Sequence, residues 1–237
     1  MDGWPLTREE LEETQLRLAA SSPDPWEPPS GPYTVGAVFV AFSSSRDPAP
    51  RERAWTAAVA GSSRAVIAGE VEVAYEPGYL ALREGPLLER AVRGLDVAPD
   101  VLLVNASGRD HPRRAGLALH LGAVLDVPTV GVTDRPLVAQ LDAGGWLVLD
   151  GRVVGCAVST GARPVIAHAA WRTDAGCAEA VVRAAAGRAR TPEPLRLARF
   201  LARSRRARDE GRLPVGWSMD RLDAPRFPVG SERRRHG

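Results

Sequence analysis

A chain of 237 residues, 44% hydrophobic and 25% charged, can bury a sizeable core, suits one large α/β domain, and excludes both a fibrous repeat and wholesale disorder. The net charge of +2 conceals an uneven distribution, because every basic side chain is Arg, none is Lys, and Arg crowds the carboxyl-terminal end. Lysine-based chemistry is therefore excluded, and the composition otherwise fits a GC-rich genome. Cys156 and Cys177 lack zinc-site spacing and are too few for a disulfide framework, so they read as idle thiols. The amino terminus is acidic and amphipathic, and no apolar run approaches the roughly 20 residues that cross a bilayer. A cytoplasmic protein without export or membrane anchoring is expected.

Thr7 followed by Glu10 fits a capping box, so a first helix is predicted over 7–20, with Leu6, Leu11, Leu16 and Leu18 as its apolar face. A Pro-rich segment then breaks it. The run YTVGAVFVAF, 33–42, reads as a strand buried on both faces. Strands near 54–60 and 64–74 complete an antiparallel meander. A helix over 84–95 carries Pro86 in its first turn, and DVLLVN, 100–105, is a short apolar strand ending at a polar loop. Next come a helix over HPRRAGLALHLGAVLD (111–126), a strand over 127–133, a hairpin over 146–160 turning at Asp150-Gly151, a strand over 164–171, and helices over 174–188 and 192–206. The expected organisation is an N-terminal helix and Pro-rich linker (1–30), a core domain (31–208) and a basic, flexible tail (209–237).

A three-stranded meander followed by alternating helices and parallel strands is the order of an α/β fold of the ribonuclease H-like type, a mixed sheet flanked by helices. Three segments then resemble the endonuclease V family, whose members cut nucleic acid near deaminated adenine (inosine). VAYEPGYLALREGP, 73–86, is similar to the family's Pro-Tyr-Ile-Pro-Gly-Phe-Leu-Ser-Phe-Arg-Glu-Gly-Pro. PDVLLVNASGRDHPRRAGLALHLGAVLDVPTVGV, 99–132, resembles its strand, His-Pro-Arg-Arg loop, helix and Pro-Thr-Ile-Gly-Val strand. PEPLRLAR, 192–199, resembles Pro-Glu-Pro-Thr-Arg-Leu-Ala-Asp. The resemblance covers roughly residues 30 to 200.

The resemblance implies a divalent metal, Mg²⁺, held by an aspartate on the first strand, a glutamate after the Phe-Arg pair and an aspartate ending the fourth strand. Here Phe39 stands at the first position, Glu84 keeps the second as the one remaining metal candidate, and Asn105 takes the third. A family lysine has become Asp134, and a family histidine near the last core strand has become Trp171. Tyr75 matches an aromatic wedge inserted beside the lesion, and a ring there can stack on an unpaired base. Glu76 beside it adds a charge that repels a backbone. His111, Arg113 and Arg114 match a phosphate-contacting loop, although a helix-initiating turn with solvated arginines is the structural alternative. Of the family's pocket glycines, NASG keeps Gly108, and Arg83 with Glu84 reads equally as a structural ion pair.

Phosphodiester hydrolysis by two metals needs clustered anionic oxygens, and Mg²⁺ prefers hard ligands at about 2.0–2.1 Å. Phe39 supplies no donor and Asn105 a neutral carbonyl. The expected function is therefore an endonuclease V-like protein impaired or inactive as a metal-dependent nuclease, monomeric, needing Mg²⁺ only if active, and binding DNA or RNA. One alternative is an active inosine-directed nuclease with a remodelled site built on Glu84, Asn105 and Asp134, with Asp110 contributing. Another is an enzyme of small-molecule metabolism using an emptied cleft lined by Phe39, Asn105 and Trp171.

Overall fold

The computed structural model describes residues 3–43, 51–160 and 163–212. The basic tail expected over 209–237 lies outside these residues from position 213 onward. Helix α1 (Arg8–Ala20) begins at the predicted capping box: Thr7 Oγ1 accepts from the Glu10 N–H at 3.2 Å and Glu10 accepts from the Thr7 N–H at 3.3 Å. Its buried stripe is Leu11, Thr14, Gln15 and Leu18, whereas Leu6 and Leu16 face solvent, so the expected Leu6–Leu16 face is corrected. The spacing 11, 14/15, 18 is the true helical repeat.

Strands β1 (Val35–Phe42), β2 (Glu52–Ala60) and β3 (Ser63–Val71) form the predicted antiparallel meander. Helix α2 (Leu80–Arg93) follows, then β4 (Val101–Val104), α3 (Leu117–Leu125) and β5 (Thr129–Thr133), with β1, β4 and β5 parallel. The chain continues through β6 (Gln140–Leu141), β7 (Trp146–Leu149), β8 (Arg152–Val158) and β9 (Val165–Ala169). It then closes with α4 (Ala175–Ala184), capped by the Asp174 side chain, and α5 (Glu193–Asp209). One nine-stranded sheet results, in the order β3-β2-β1-β4-β5-β9-β8-β7-β6. This is a ribonuclease H-like mixed sheet. Beyond β5 every pairing is antiparallel, β9 included.

Side chains alternate across β1, so Val38 and Val40 join the core beneath α1–α3 while Ala37, Phe39 and Ala41 join the core beneath α4 and α5. The β7–β8 turn is the expected hairpin, with Asp150 at φ 47° and Gly151 at φ 72°, the two left-handed residues of a type I′ turn. Two helix starts differ from expectation by a turn or more, and α4 ends at Ala184, a turn short of the expected 188. Helix α2 starts a turn early, so Pro86 lies in its second turn, because Ala81 already belongs to the stripe that continues through Leu88 and Ala91. The His-Pro-Arg-Arg segment is not helical. Arg114 takes φ 55°, and Gly116 lies so close to Ser107 that a Cβ would come within 2.4 Å of its carbonyl oxygen, so α3 begins only at Leu117.

Candidate active site and nucleic-acid cleft

The carboxyl ends of the parallel strands β1, β4 and β5 point to one edge of the sheet, and the expected site residues divide there into two neighbouring spaces. In the smaller, Phe39 of β1 lies one register step beyond the Val38–Val104 pair and so beside Asn105, as expected. Glu84 projects half-buried from α2, between the buried Ala81 and Leu88. With Val38, Val40, Leu88 and Val104 these residues enclose a cavity of about 40 Å³, enough for a single water.

Half-buried Glu84 has its carboxyl pushed up to about 8 by burial, and the neighbouring Arg83 charge only partly offsets this. Arg83 does not form the anticipated pair with Glu84. Its guanidinium pairs with Glu52, donates to the Val73 carbonyl at 2.5 Å and lies 4.1 Å over the Phe42 ring. Glu84 is thus the sole carboxyl of this cavity and is mostly protonated at neutral pH. A hard divalent ion would find one proton-blocked carboxyl, one neutral amide oxygen and one phenyl ring. No group of three His, Cys, Asp or Glu side chains able to hold a metal occurs among the described residues. The donor set does not fit the family's metal.

The Phe39 ring turns toward α5. The guanidinium carbons of Arg199 and Arg203 lie 5.3 and 5.8 Å from its centroid. Arg199 is the residue that sequence reasoning missed. It is the last residue of PEPLRLAR, the segment that resembles one ending in Asp in the family, so this position carries a cation here.

The larger space is a cleft of about 290 Å³ running from Tyr75, Gly78 and His111 past Asn105 and Ser107 to Thr133 and Asp134. Tyr75 is 67% exposed at its mouth, free to stack, and Glu76 is neutralised by Arg8 at 2.5 Å. Gly78, at φ 85°, forms the lip; its carbonyl accepts from Arg113 at 2.9 Å and from Gln15 at 3.4 Å. His111 is buried, and burial, aided by the Arg113 charge, pushes it down to about 4. Its Nδ1 accepts from the Arg113 N–H at 3.2 Å, so it is a neutral wall of the cleft and not a cation. Arg113 is occupied by Gln15 Oε1 at 2.6 Å and Glu12 at 3.4 Å, and Arg114 by Asp150. The loop arginines therefore fasten the cleft, and the phosphate contacts expected of them would require breaking these bonds. Gly108 does not line the cleft; a Cβ there would meet the Ala169 carbonyl at 2.1 Å, so its smallness lets the loop press on β9.

The floor is held by Asp110, which is wholly buried and accepts the backbone N–H groups of Leu137, Val138 and Ala139 at 2.8, 2.9 and 2.8 Å. It is thereby committed to structure and not to a metal. Buried His168 spans the remaining gap, with Nδ1 3.5 Å from Asp110 Oδ2 and Nε2 2.7 Å from Thr133 Oγ1. Asp134 pairs with Arg190 at 2.7 Å. Trp171 is not in the cleft. Its carbonyl accepts from Thr129 at the start of β5, three residues or about 10 Å back along the sheet from the level of Asn105, because β9 runs antiparallel. The proposed Phe39–Asn105–Trp171 lining therefore does not form.

A ribonuclease H-like sheet with its cleft at the carboxyl edge of the parallel strands, fed by an acidic position on α2, defines the architecture of a nuclease fold. The family model for endonuclease V matches residues 27–200, and the chain belongs to that family. Endonuclease V of Methanopyrus kandleri is 45% identical over 157 residues, covering 62% of this chain and 68% of the relative. That of Streptomyces coelicolor is 34% identical over 219 residues, covering 85% and 92%. Among solved structures, endonuclease V of Streptomyces avermitilis superposes with a TM-score of 0.71 at 32% identity over 90% of this chain and 98% of that one. A Ciona intestinalis endonuclease V, solved with DNA containing an inosine, reaches 0.71 at 20% identity, covering 85% and 98%, a likeness of fold. Among the described residues no helix is long and apolar enough to cross a membrane.

Proposed function

We propose that this protein binds nucleic acid, with an unpaired deaminated adenine (inosine) base in the cleft, and has lost metal-dependent phosphodiester cleavage. The observation that carries this reading is the Phe39–Glu84–Asn105 arrangement, in which the one remaining carboxyl is raised to about 8 and has no anionic neighbour in its cavity. Metal catalysis of phosphoryl hydrolysis depends on polarising the attacking water and the leaving oxygen, and these donors attract no ion to do it. The binding half of the reading is supported by a cleft of about 290 Å³ that remains open beside an exposed Tyr75, and by a fold shared with a protein solved around inosine-containing DNA. Base–aromatic stacking contributes roughly 1–3 kcal/mol per base. The test incubates purified protein with an inosine-containing duplex and single strand in Mg²⁺ or Mn²⁺, following both anisotropy and nicking. The expected result is binding that persists in EDTA with no nicking. Metal-dependent nicking that vanishes in Glu84→Ala overturns the loss of catalysis, and absence of binding overturns the recognition half.

A further inference from the structure

We infer that Arg199 and Arg203 form an oxyanion site beside Phe39 that takes a phosphate group of the nucleic-acid backbone without a metal. The identity of the ligand rests on the preceding reading; the site itself rests on charge and geometry. Arg199, Arg203 and Arg206 fall at i, i+4 and i+7 of α5, one face of the helix, where like charges repel unless an anion joins them. Arg206 is anchored on the Phe42 carbonyl at 2.8 Å, whereas Arg199 and Arg203 rest on the Phe39 ring. Stacking on a ring satisfies the guanidinium face and leaves its N–H edge available, the edge that matches phosphate oxygens in a planar fork.

Arg199 Nε is buried with no hydrogen-bond partner, and a buried donor left unpaired carries a desolvation cost that a bound oxyanion removes. The charges that face Arg199 are those of Arg203 and Arg190, with Asp134 as the single opposing carboxylate. Asp134 is already engaged by Arg190, so three cations share one anion. The position suits a strand entering the cleft: Phe39 lines the small cavity with Asn105, and Asn105 and Asp134 line the large one. A base held in the cleft thus leaves its flanking phosphate near the sheet edge, where Arg199 and Arg203 stand on the far side of Phe39.

The experiment uses the full chain in EDTA, with Arg203→Gln as the exposed, fold-neutral variant and Arg199→Gln as the half-buried one. Anisotropy of a labelled single strand is followed against salt, and thermal melts are run with inorganic pyrophosphate. Each lost phosphate contact should lower the slope of log K against log salt by about 0.7 for a single strand, and pyrophosphate should raise the melting temperature of wild type but not of Arg203→Gln. If wild type binds the strand and both variants keep its slope, the arginine site is overturned while the recognition reading stands. If wild type binds no nucleic acid, that reading falls and the pyrophosphate melt decides the site: a rise lost in Arg203→Gln upholds it, and no rise in wild type overturns it.

Discussion

The two spaces at the carboxyl edge of the sheet share Asn105 and lie side by side, yet they are built in different ways. The cleft is fastened by partners that reach across the chain: Asp110 gathers three backbone N–H groups of the following loop, and Arg113 ties Gly78 to α1. The cavity beside it has almost no polar connections. Phe39, Asn105 and Glu84 line it with one ring, one amide and one carboxyl, and burial leaves Glu84 to the low dielectric. Cleft shape is therefore independent of what lines the cavity, because the ties that maintain it involve none of Phe39, Glu84 and Asn105.

The largest effect is expected from rebuilding a metal site beside Glu84. Restoring Phe39→Asp with Asn105→Asp is expected to fail, since Arg199 and Arg203 lie close enough to capture the new carboxylate. Adding Arg199→Asp removes the nearer competitor and completes the anionic set around Glu84. In the triple variant Mn²⁺ at about a hundred times its dissociation constant should stabilise the fold by about 2.7 kcal/mol, a rise of roughly 5–10 °C in Tm for a chain of this size. Differential scanning calorimetry with and without Mn²⁺ decides it. A double variant that already responds to metal would show that the arginines do not guard the site.

The cleft side is sharpened by Asp110→Asn. The amide retains one acceptor but turns an NH₂ toward backbone donors, so at least one buried N–H loses its partner, at a cost of about 2–3 kcal/mol. Urea denaturation should show that loss, and hydrogen exchange should localise the opening to residues 137–139. A change under about 1 kcal/mol would mean that the floor is not held where the hydrogen bonds place it.

What the sequence revealed and what it hid follow the same division. The capping box at Thr7, the doubly buried β1 and the Asp150-Gly151 turn were legible because each is decided by a few consecutive residues. The placement of Phe39 beside Glu84 and Asn105 was legible through the family resemblance. Trp171 was misplaced because its position depends on the direction of β9, which no local pattern fixes. The roles of Arg113 and Asp110 were hidden because their partners lie far along the chain or on backbone N–H groups, which carry no sequence signal. Arg199 was visible as a letter, but its meaning needed the helix to carry it onto Phe39.

The smallest expected effect is also the most specific to the emptied cavity. Glu84 has its pKa raised to about 8 against an ordinary 4.5, so between those values the folded chain holds a proton that the unfolded chain has released. Its contribution is fully present below about pH 4.5 and is lost as pH rises toward 8. His111 and His120 act in the opposite sense: burial lowers both to about 4 from 6.5, and the stability linked to their neutral form is lost as pH falls from 6.5 to 4. Glu84→Gln removes only the first dependence. The variant should therefore match wild type near pH 4.5 and exceed it at pH 8 by about 1–2 kcal/mol, discounted from the full linkage because Glu84 is only half-buried. Chemical denaturation at the two pH values gives the difference directly. Repeating it in Mn²⁺ separates an empty cavity from a metal site: a bound cation would displace the proton and flatten the wild-type profile, whereas a cavity of one carboxyl, one amide and one ring should leave it unchanged.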